Sequence, residues 1–242
     1  MKRKGFKGIL LLLSMLFALT GCSVSEATQH GMAVDTIQTE DVLLRVDFLN
    51  VGQADCALLS TKGHYMVIDG GNNGDADTIL SYLEGQGVEK LDAVVGTHPH
   101  EDHIGSLDAI INHFDVDAVY MPKIMHTSKT FEDVLDAVAN KGLKIKSPSP
   151  GDTIDFNGLE IEVLGPQREY KDFNNNSIVL KVNAGETAFL FTGDAEETAE
   201  KDILQADYDL QADVLKVGHH GSSTSSSQAF LQAVNMPSSA SA

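Results

Sequence analysis

The sequence predicts an α/β domain made of two sheets packed face to face, with helices outside. Three observations carry this reading. Alternating strands open the domain, strands and helices then take turns, and a second β-rich block runs into a helix and a strand. Each half is thus a group of strands followed by helices, enough for one sheet and its cover.

Residues 1–21 are set apart from the fold. "MKRKGFKG" is a basic segment and "ILLLLSMLFAL" an apolar run too short to span a bilayer comfortably, the pattern of a signal peptide. It ends in "LTGC", which resembles the bacterial lipobox. That resemblance implies a lipid on Cys22, export, and anchoring to the bacterial cell membrane. Residues 22–40, rich in Ser, Thr and small side chains, read as a tether, and residues 41–242 as the domain. With Cys22 lipidated, Cys56 is the only thiol left and no intramolecular disulfide is possible.

Within the domain, "VLLRVDFLNVG" alternates Val42, Leu44, Val46 and Phe48 on one face of a half-buried strand, and "CALLS" and "HYMVIDGG" are further strands. A helix over "DADTILSYLEGQG", capped by Asp75 or Asp77, is followed by the strand "LDAVVGTH" and the helix "GSLDAIINHF". The strand "DAVYMP" precedes the helix "TFEDVLDAVANKG". The second block contains "DTIDFNGLEIEVLGP", "NSIVLKVNAG" and "TAFLFTGD", then the helix "AEETAEKDILQ" and the strand "ADVLKVGHHGS". A serine of Ser222–Ser227 caps a last helix over "SQAFLQAV". In "VGQAD", Gly52 permits a turn; Gln53 and Asp55 read as partners of neighbouring backbone, with a place for Asp55 near a metal as the other option.

The leader holds four of the 17 basic residues and none of the 35 acids, so the rest carries 13 against 35, a formal charge of −22. Such a surface repels a polyanion at long range and disfavours extended, sequence-independent DNA binding.

The chain has nine histidines, and three of them fall with two acids in the six positions His98–His103. They follow directly on a predicted strand and lead into a helix, so side chains two and four apart converge on one point. Imidazoles and carboxylates without thiolate suit Zn²⁺, Mn²⁺ or Fe²⁺ in a hydrolytic site. His98, His100, Asp102 and His103 exceed the needs of one catalytic ion that keeps a position open for water, so the spacing points to two. His30, His64, His113 and His126 lack such partners and read as surface or helix-end residues.

His-x-His-x-Asp-His resembles the signature of the metallo-β-lactamase superfamily. Together with "FLNVGQADCALL", "MVIDGG", "NNNSIVLKV", "FLFTGD" and "LKVGHHGSSTS", it makes residues 44–234 similar to the ComEC-type competence hydrolase domain. The resemblance implies a four-layer αββα sandwich and two divalent ions, Zn or Mn. It assigns His98 and His100 to one ion, Asp102 and His103 to the other, and Asp194 as the bridging carboxylate. His219 or His220 matches the last histidine ligand; with His220 as the ligand, His219 faces substrate as the catalytic acid beside Asp102, which orients the nucleophile. Asp69 matches an acid that supports the site from outside.

Two departures stand out. "NNNSIV" offers Asn174, Asn175, Asn176 and Ser177 where the superfamily usually has a histidine, which marks the ComEC-like branch and weakens the first ion's hold. After "FLQAVNMP" such domains continue with a strand and a Gly-His-Pro segment, whereas "SSASA" follows here; the expectation is a truncated C-terminal part and an open edge strand. The function implied is hydrolysis of a phosphodiester, DNA or a cell-surface polymer, by a metal-bound hydroxide, with no protein partner evident. The alternatives are a lactone or β-lactam hydrolase and an inactive metal-binding remnant. A basic contact from Lys123 or Lys216 at the metals would mark the first, an apolar pocket there the lactonase.

Overall fold

The computed structural model describes residues 43–235. The predicted signal peptide, Cys22, the tether and residues 236–242 lie outside the described residues.

The first half opens as an antiparallel meander of β1 (Arg45–Phe48), β2 (Ala57–Thr61) and β3 (His64–Ile68). It continues through α1 (Ala76–Gly85), β4 (Lys90–Leu91), β5 (Ala93–Val95), α2 (Glu101–Ile104), α3 (Leu107–His113), β6 (Asp115–Val116), β7 (Val119–Tyr120), α4 (Lys129–Asn140) and β8 (Ile145–Lys146). The sheet order is β1-β2-β3-β5-β7-β8, parallel from β3 onward; β4 and β6 form a separate short pair.

The second half supplies β9 (Thr153–Phe156), β10 (Leu159–Gly165), a 3-10 turn at Asn174–Asn176, β11 (Val179–Ala184), β12 (Thr187–Phe191), α5 (Glu197–Gln205), β13 (Val214–Lys216) and α6 (Gln228–Val234). Its sheet order is β13-β12-β11-β10-β9, with β13 parallel to β12. β13 is an edge among the described residues.

Side-chain alternation sorts the core into three apolar layers. Val67, Val94 and Val119 face Leu83, Leu107, Ile110 and Val134 of the first helices. Their neighbours Met66, Ile68 and Val95 face the other way, onto Ile161, Val163, Leu180 and Phe191 of the second sheet. On its far side, Leu164, Val179, Leu190 and Leu215 meet Ile203, Phe230 and Val234. Helices, sheet, sheet and helices are therefore four layers, and each fully buried Leu, Ile or Phe contributes about 1.5–3 kcal/mol to holding them.

Helix starts follow the expected chemistry: Ser128 and Ser227 accept from Phe131 N and Phe230 N. Asp75 holds the position before α1, but its carboxylate accepts from Asn72 N instead. The expectation at β1 holds for the face but not for the burial of its last residue: Leu44 and Val46 pack on the inter-sheet core, and Phe48 meets Phe191 of the second sheet at 6.0 Å between ring centroids but stays 46% exposed on this edge strand. "LDAVVGTH" also shortens, since Lys90 and Leu91 pair with β6 rather than with the main sheet.

Candidate metal centre

Two pairs of parallel strands end at one rim. β3 and β5 are neighbours, so Asp69, just after β3, meets the residues just after β5. Asp69 lies in the left-handed region (φ 61°) and accepts from Thr97 N at 2.7 Å and Thr97 Oγ1 at 2.8 Å. This clamp aims the turn that carries His98–His103. A side chain at Gly105 would fall 2.2 Å from Asn72 C. Without one, Gly105 N donates to Gly71 O (2.8 Å) and Gly70 N to His103 O (2.6 Å), tying the two strand ends together.

β12 and β13, also parallel neighbours, deliver Asp194 and the pair His219-His220 from the second sheet. Both histidines are left-handed, at φ 48° and 50°. That conformation costs on the order of 1–2 kcal/mol for a residue with a β-carbon. Strain of this kind, held between Gly218 and Gly221, points to function.

The donors form two groups that share Asp194: His98, His100 and Asp194, and Asp55, His103, Asp194 and His220. In the first, His98 Nε2 lies 3.0 Å from His100 Nδ1 and 3.7 Å from Asp194 Oδ2. In the second, His220 Nε2 lies 3.3 Å from His103 Nε2, 3.1 Å from Asp102 Oδ2 and 3.6 Å from Asp194 Oδ2. His98 and His103 are fully buried.

Outside these donors stand their supports. His103 Nδ1 meets Asp69 Oδ2 at 2.8 Å, and His220 Nδ1 faces Asp55 Oδ1 at 3.4 Å. Asp55 is itself held by Lys216 Nζ at 2.7 Å. Asp55 thus approaches the rear nitrogens of the imidazoles, a supporting rather than a ligating position. His219 points its Nδ1 at Glu196 Oε1 (3.0 Å), and its Nε2 stays 3.9 Å from Asp194 Oδ2 at the rim.

The charge balance fits a cation. Burial and the neighbouring imidazoles lower the His98 pKa well below the usual histidine value, and burial lowers His100, so both stay neutral donors. Burial alone would lower His103 too, but Asp69 and Asp194 outweigh it and raise it well above that value. Hydrogen bonds to Asp102 and Asp55 raise His220 to about 9, and the same bond lowers Asp102 to about 2. Asp194 Oδ1 is buried with no hydrogen-bond partner, although His103 Nε2 is 3.1 Å away. Once it loses its extra proton, and with Nδ1 donating to Asp69, His103 would turn an Nε2 lone pair on that oxygen and His220. Lone pairs converging within a ring of carboxylates match the needs of divalent ions, which displace the extra protons. His98, His100 and Asp194 would hold one ion, and Asp102, His103, Asp194 and His220 the other.

The structure therefore brings together all of His98, His100, Asp102, His103, Asp194 and His220, and leaves His219 beside them. The Asn-rich turn adds no clear donor. Asn175 Oδ1 accepts from Glu196 N and Ala199 N, Asn176 Oδ1 from Tyr170 N, and Ser177 Oγ from Asp194 N. Asn174 Oδ1 is buried without a partner. Lys216 is occupied by Asp55 and by Val217 O (2.9 Å) rather than turned to a substrate. His126, read as a surface residue, packs on Phe173, whose ring also meets His100 at 5.7 Å. Sequence reasoning overlooked Glu196 and Phe173; nothing local marks either, since each acts on a histidine distant in the chain.

The sequence profile of the Metallo-beta-lactamase superfamily matches residues 49–240. Among curated proteins the chain is similar to ComE operon protein 3 of Bacillus subtilis (strain 168), 29% identical over 206 residues, covering 77% of this chain and 26% of that protein. It is similar to competence protein ComA of Neisseria gonorrhoeae, 30% identical over 189 residues (77% and 25% covered). A hydroxyacylglutathione hydrolase of Aeromonas hydrophila subsp. hydrophila is 32% identical over 107 residues (44% and 35% covered). The chain spans about a quarter of the length of the two competence relatives. Of solved structures, Rm3 metallo-beta-lactamase superposes with a TM-score of 0.51 at 11% identity, covering 72% of this chain and 76% of that one. MEM-A1, a subclass B3 metallo-beta-lactamase from a soil metagenome library, gives 0.50 at 16% identity (74% and 78% covered). These two likenesses show the αββα fold. With the profile running through nearly all of the described domain, the chain belongs to the metallo-β-lactamase superfamily.

Proposed function

We propose that this chain is an exported, lipid-anchored hydrolase of phosphodiester bonds that uses two divalent ions, zinc or manganese. The observation that carries the hydrolytic reading is the pair of donor groups sharing the buried Asp194. The choice of phosphodiester draws support from relatives named for competence and, in Haemophilus influenzae, for recombination ("Recombination protein 2"). The lactonase alternative calls for an apolar pocket at the ions. One apolar pocket, about 240 Å³ between Phe48, Leu49, Cys56 and Phe191, borders the supporting Asp55, Asp69 and Lys216 and none of the donors; the larger groove beside Phe173 mixes apolar side chains with Lys123, Arg168 and Lys171.

When bound, two divalent ions supply a polarised phosphoryl oxygen and a water acidified to near neutral pH. Around them the chain has separate tasks. Asp69 and Asp55 keep His103 and His220 aimed. Asp102, ionised at neutral pH, orients the attacking water. His219, its Nδ1 fixed by Glu196, presents Nε2 at the rim, where it can give a proton to the leaving oxygen.

The test is hydrolysis of bis(p-nitrophenyl) phosphate by residues 23–242 with Mn²⁺ or Zn²⁺, beside the Asp102→Ala variant. Metal-dependent turnover, reduced at least a hundredfold in the variant, is the expected result. Turnover of a thioester or lactone with none of the diester would replace this reading by the ring- or thioester-hydrolase one.

A further inference from the structure

A groove of about 1050 Å³ lies between the segment after β7 and the segment after β10. Its lining holds Lys123, Arg168 and Lys171 against a single acid, Glu169. Outside the leader the chain carries 35 acids to 13 bases, so three bases to one acid reverses the general balance at this place. Arg168 is engaged by Asp202 (2.8 Å) and stacks on Tyr170. Lys123 and Lys171 make no ion pair among the described residues, which leaves two free cations.

The wall nearest the metal centre is Phe173. Its ring stands edge-on to His100 at 5.7 Å and to His126 at 4.6 Å. Met121, Ile124, Phe131, Leu135, Ile145 and Met125, the last 76% exposed, make the rest of the lining mainly apolar. Free cations beside a partly exposed aromatic ring, one ring away from a metal ligand, form the combination that holds a phosphate backbone and an unstacked base together. A duplex keeps its bases stacked and offers no face to such a ring. A base-free polyphosphodiester would use the lysines and waste the ring.

Resting on the phosphodiester reading, we propose that this groove is a subsite for the strand flanking the scissile bond, and that it selects an unpaired, base-bearing nucleotide. Phe173 stacks the base, and Lys123 and Lys171 hold its phosphates. With two such contacts on a single strand, the salt dependence of log K has a shallow slope of about −1.4.

The test is fluorescence anisotropy with the metal-loaded full chain in detergent, on strands whose phosphorothioate linkages resist cleavage. The probes are a labelled 12-nucleotide oligothymidylate, an abasic strand of the same length, and the thymidylate paired into a duplex. The thymidylate is expected to bind about tenfold tighter than either competitor. Phe173→Leu should remove that preference over the abasic strand, while Lys123→Ala combined with Lys171→Ala weakens both single strands. Equal affinity for abasic and base-bearing strands, no binding of any probe, or variants that bind like the parent would overturn the proposal. The parent's turnover of bis(p-nitrophenyl) phosphate separates the two ideas. Diester turnover without base-dependent binding sinks only the subsite, and base-dependent binding without turnover sinks only the hydrolase.

Discussion

The two donor groups that meet at Asp194 are built unequally. His98, His100 and Asp194 make a set of three, and only His98 has a hydroxyl, Thr97 Oγ1, beside its rear nitrogen at 3.3 Å. Asp102, His103, Asp194 and His220 make a set of four, and its two imidazoles are each backed by a carboxylate, Asp69 and Asp55. Both sets join the two sheets, the first through Asp194 alone and the second through Asp194 and His220. The lesson is that the better-supported set is the one that draws two residues from the second sheet: an ion there should be held more tightly and brace the sandwich more firmly, with the ion of the first set the more exchangeable one.

The largest effect is expected at the shared residue. Asp194→Asn should take metal content, measured by elemental analysis after gel filtration, from two ions per chain to fewer than one, and abolish turnover. Retention of one full ion would show that the sets are independent. Next comes the direct contrast. By chelator competition, His220→Ala should lose the tighter ion and His100→Ala only the weaker; equal losses would erase the asymmetry.

Smaller again is the support. Asp69→Asn keeps every donor but loosens the clamp on His103, so affinity for the tighter ion should fall about 10–100-fold while the weaker is unmoved. Changes of the same size in both would mean that Asp69 serves the fold in general.

The smallest effect is one of pH on the metal-free protein. His220 is raised to about 9, so its contribution to stability is complete below the ordinary histidine pKa of about 6.5 and is lost as pH rises through 9. Asp102 is lowered to about 2, so its contribution is present above about 4 and lost on acidification toward 2. Metal-free protein should therefore melt lower at pH 9.5 than at pH 6. Metal-saturated protein, whose imidazoles carry ions in place of protons, should show much less of that decline, and a similar decline with and without metal would place the pH effect elsewhere.

Much of this was legible in the chain. The strand in "HYMVIDGG" was legible; the structure then shows its two faces to different layers, Val67 to one and Met66 and Ile68 to the other. The ligand turn was legible because His98–His103 are neighbours in sequence. Phe48 was put on the right face, against Phe191, but how deeply an edge strand is buried depends on what lies opposite it. Lys216 was expected at a substrate and instead neutralises Asp55, a partner more than 150 positions away. The family pattern admitted either His219 or His220 as the ligand, with His220 preferred; the left-handed backbone at both directs the His220 Nε2 to the donors and the His219 Nε2 to the rim.

By itself, then, the sequence determined the layer pattern, the donor types and the local turn, because each depends on spacing within one element. The tertiary structure alone decided that His103 and His220, 117 positions apart, face one point. It also decided that Asp55 stands behind a histidine and that Phe173 joins a basic groove to His100. Those are contacts between chain segments that become neighbours only when parallel strands from both sheets end at a common rim.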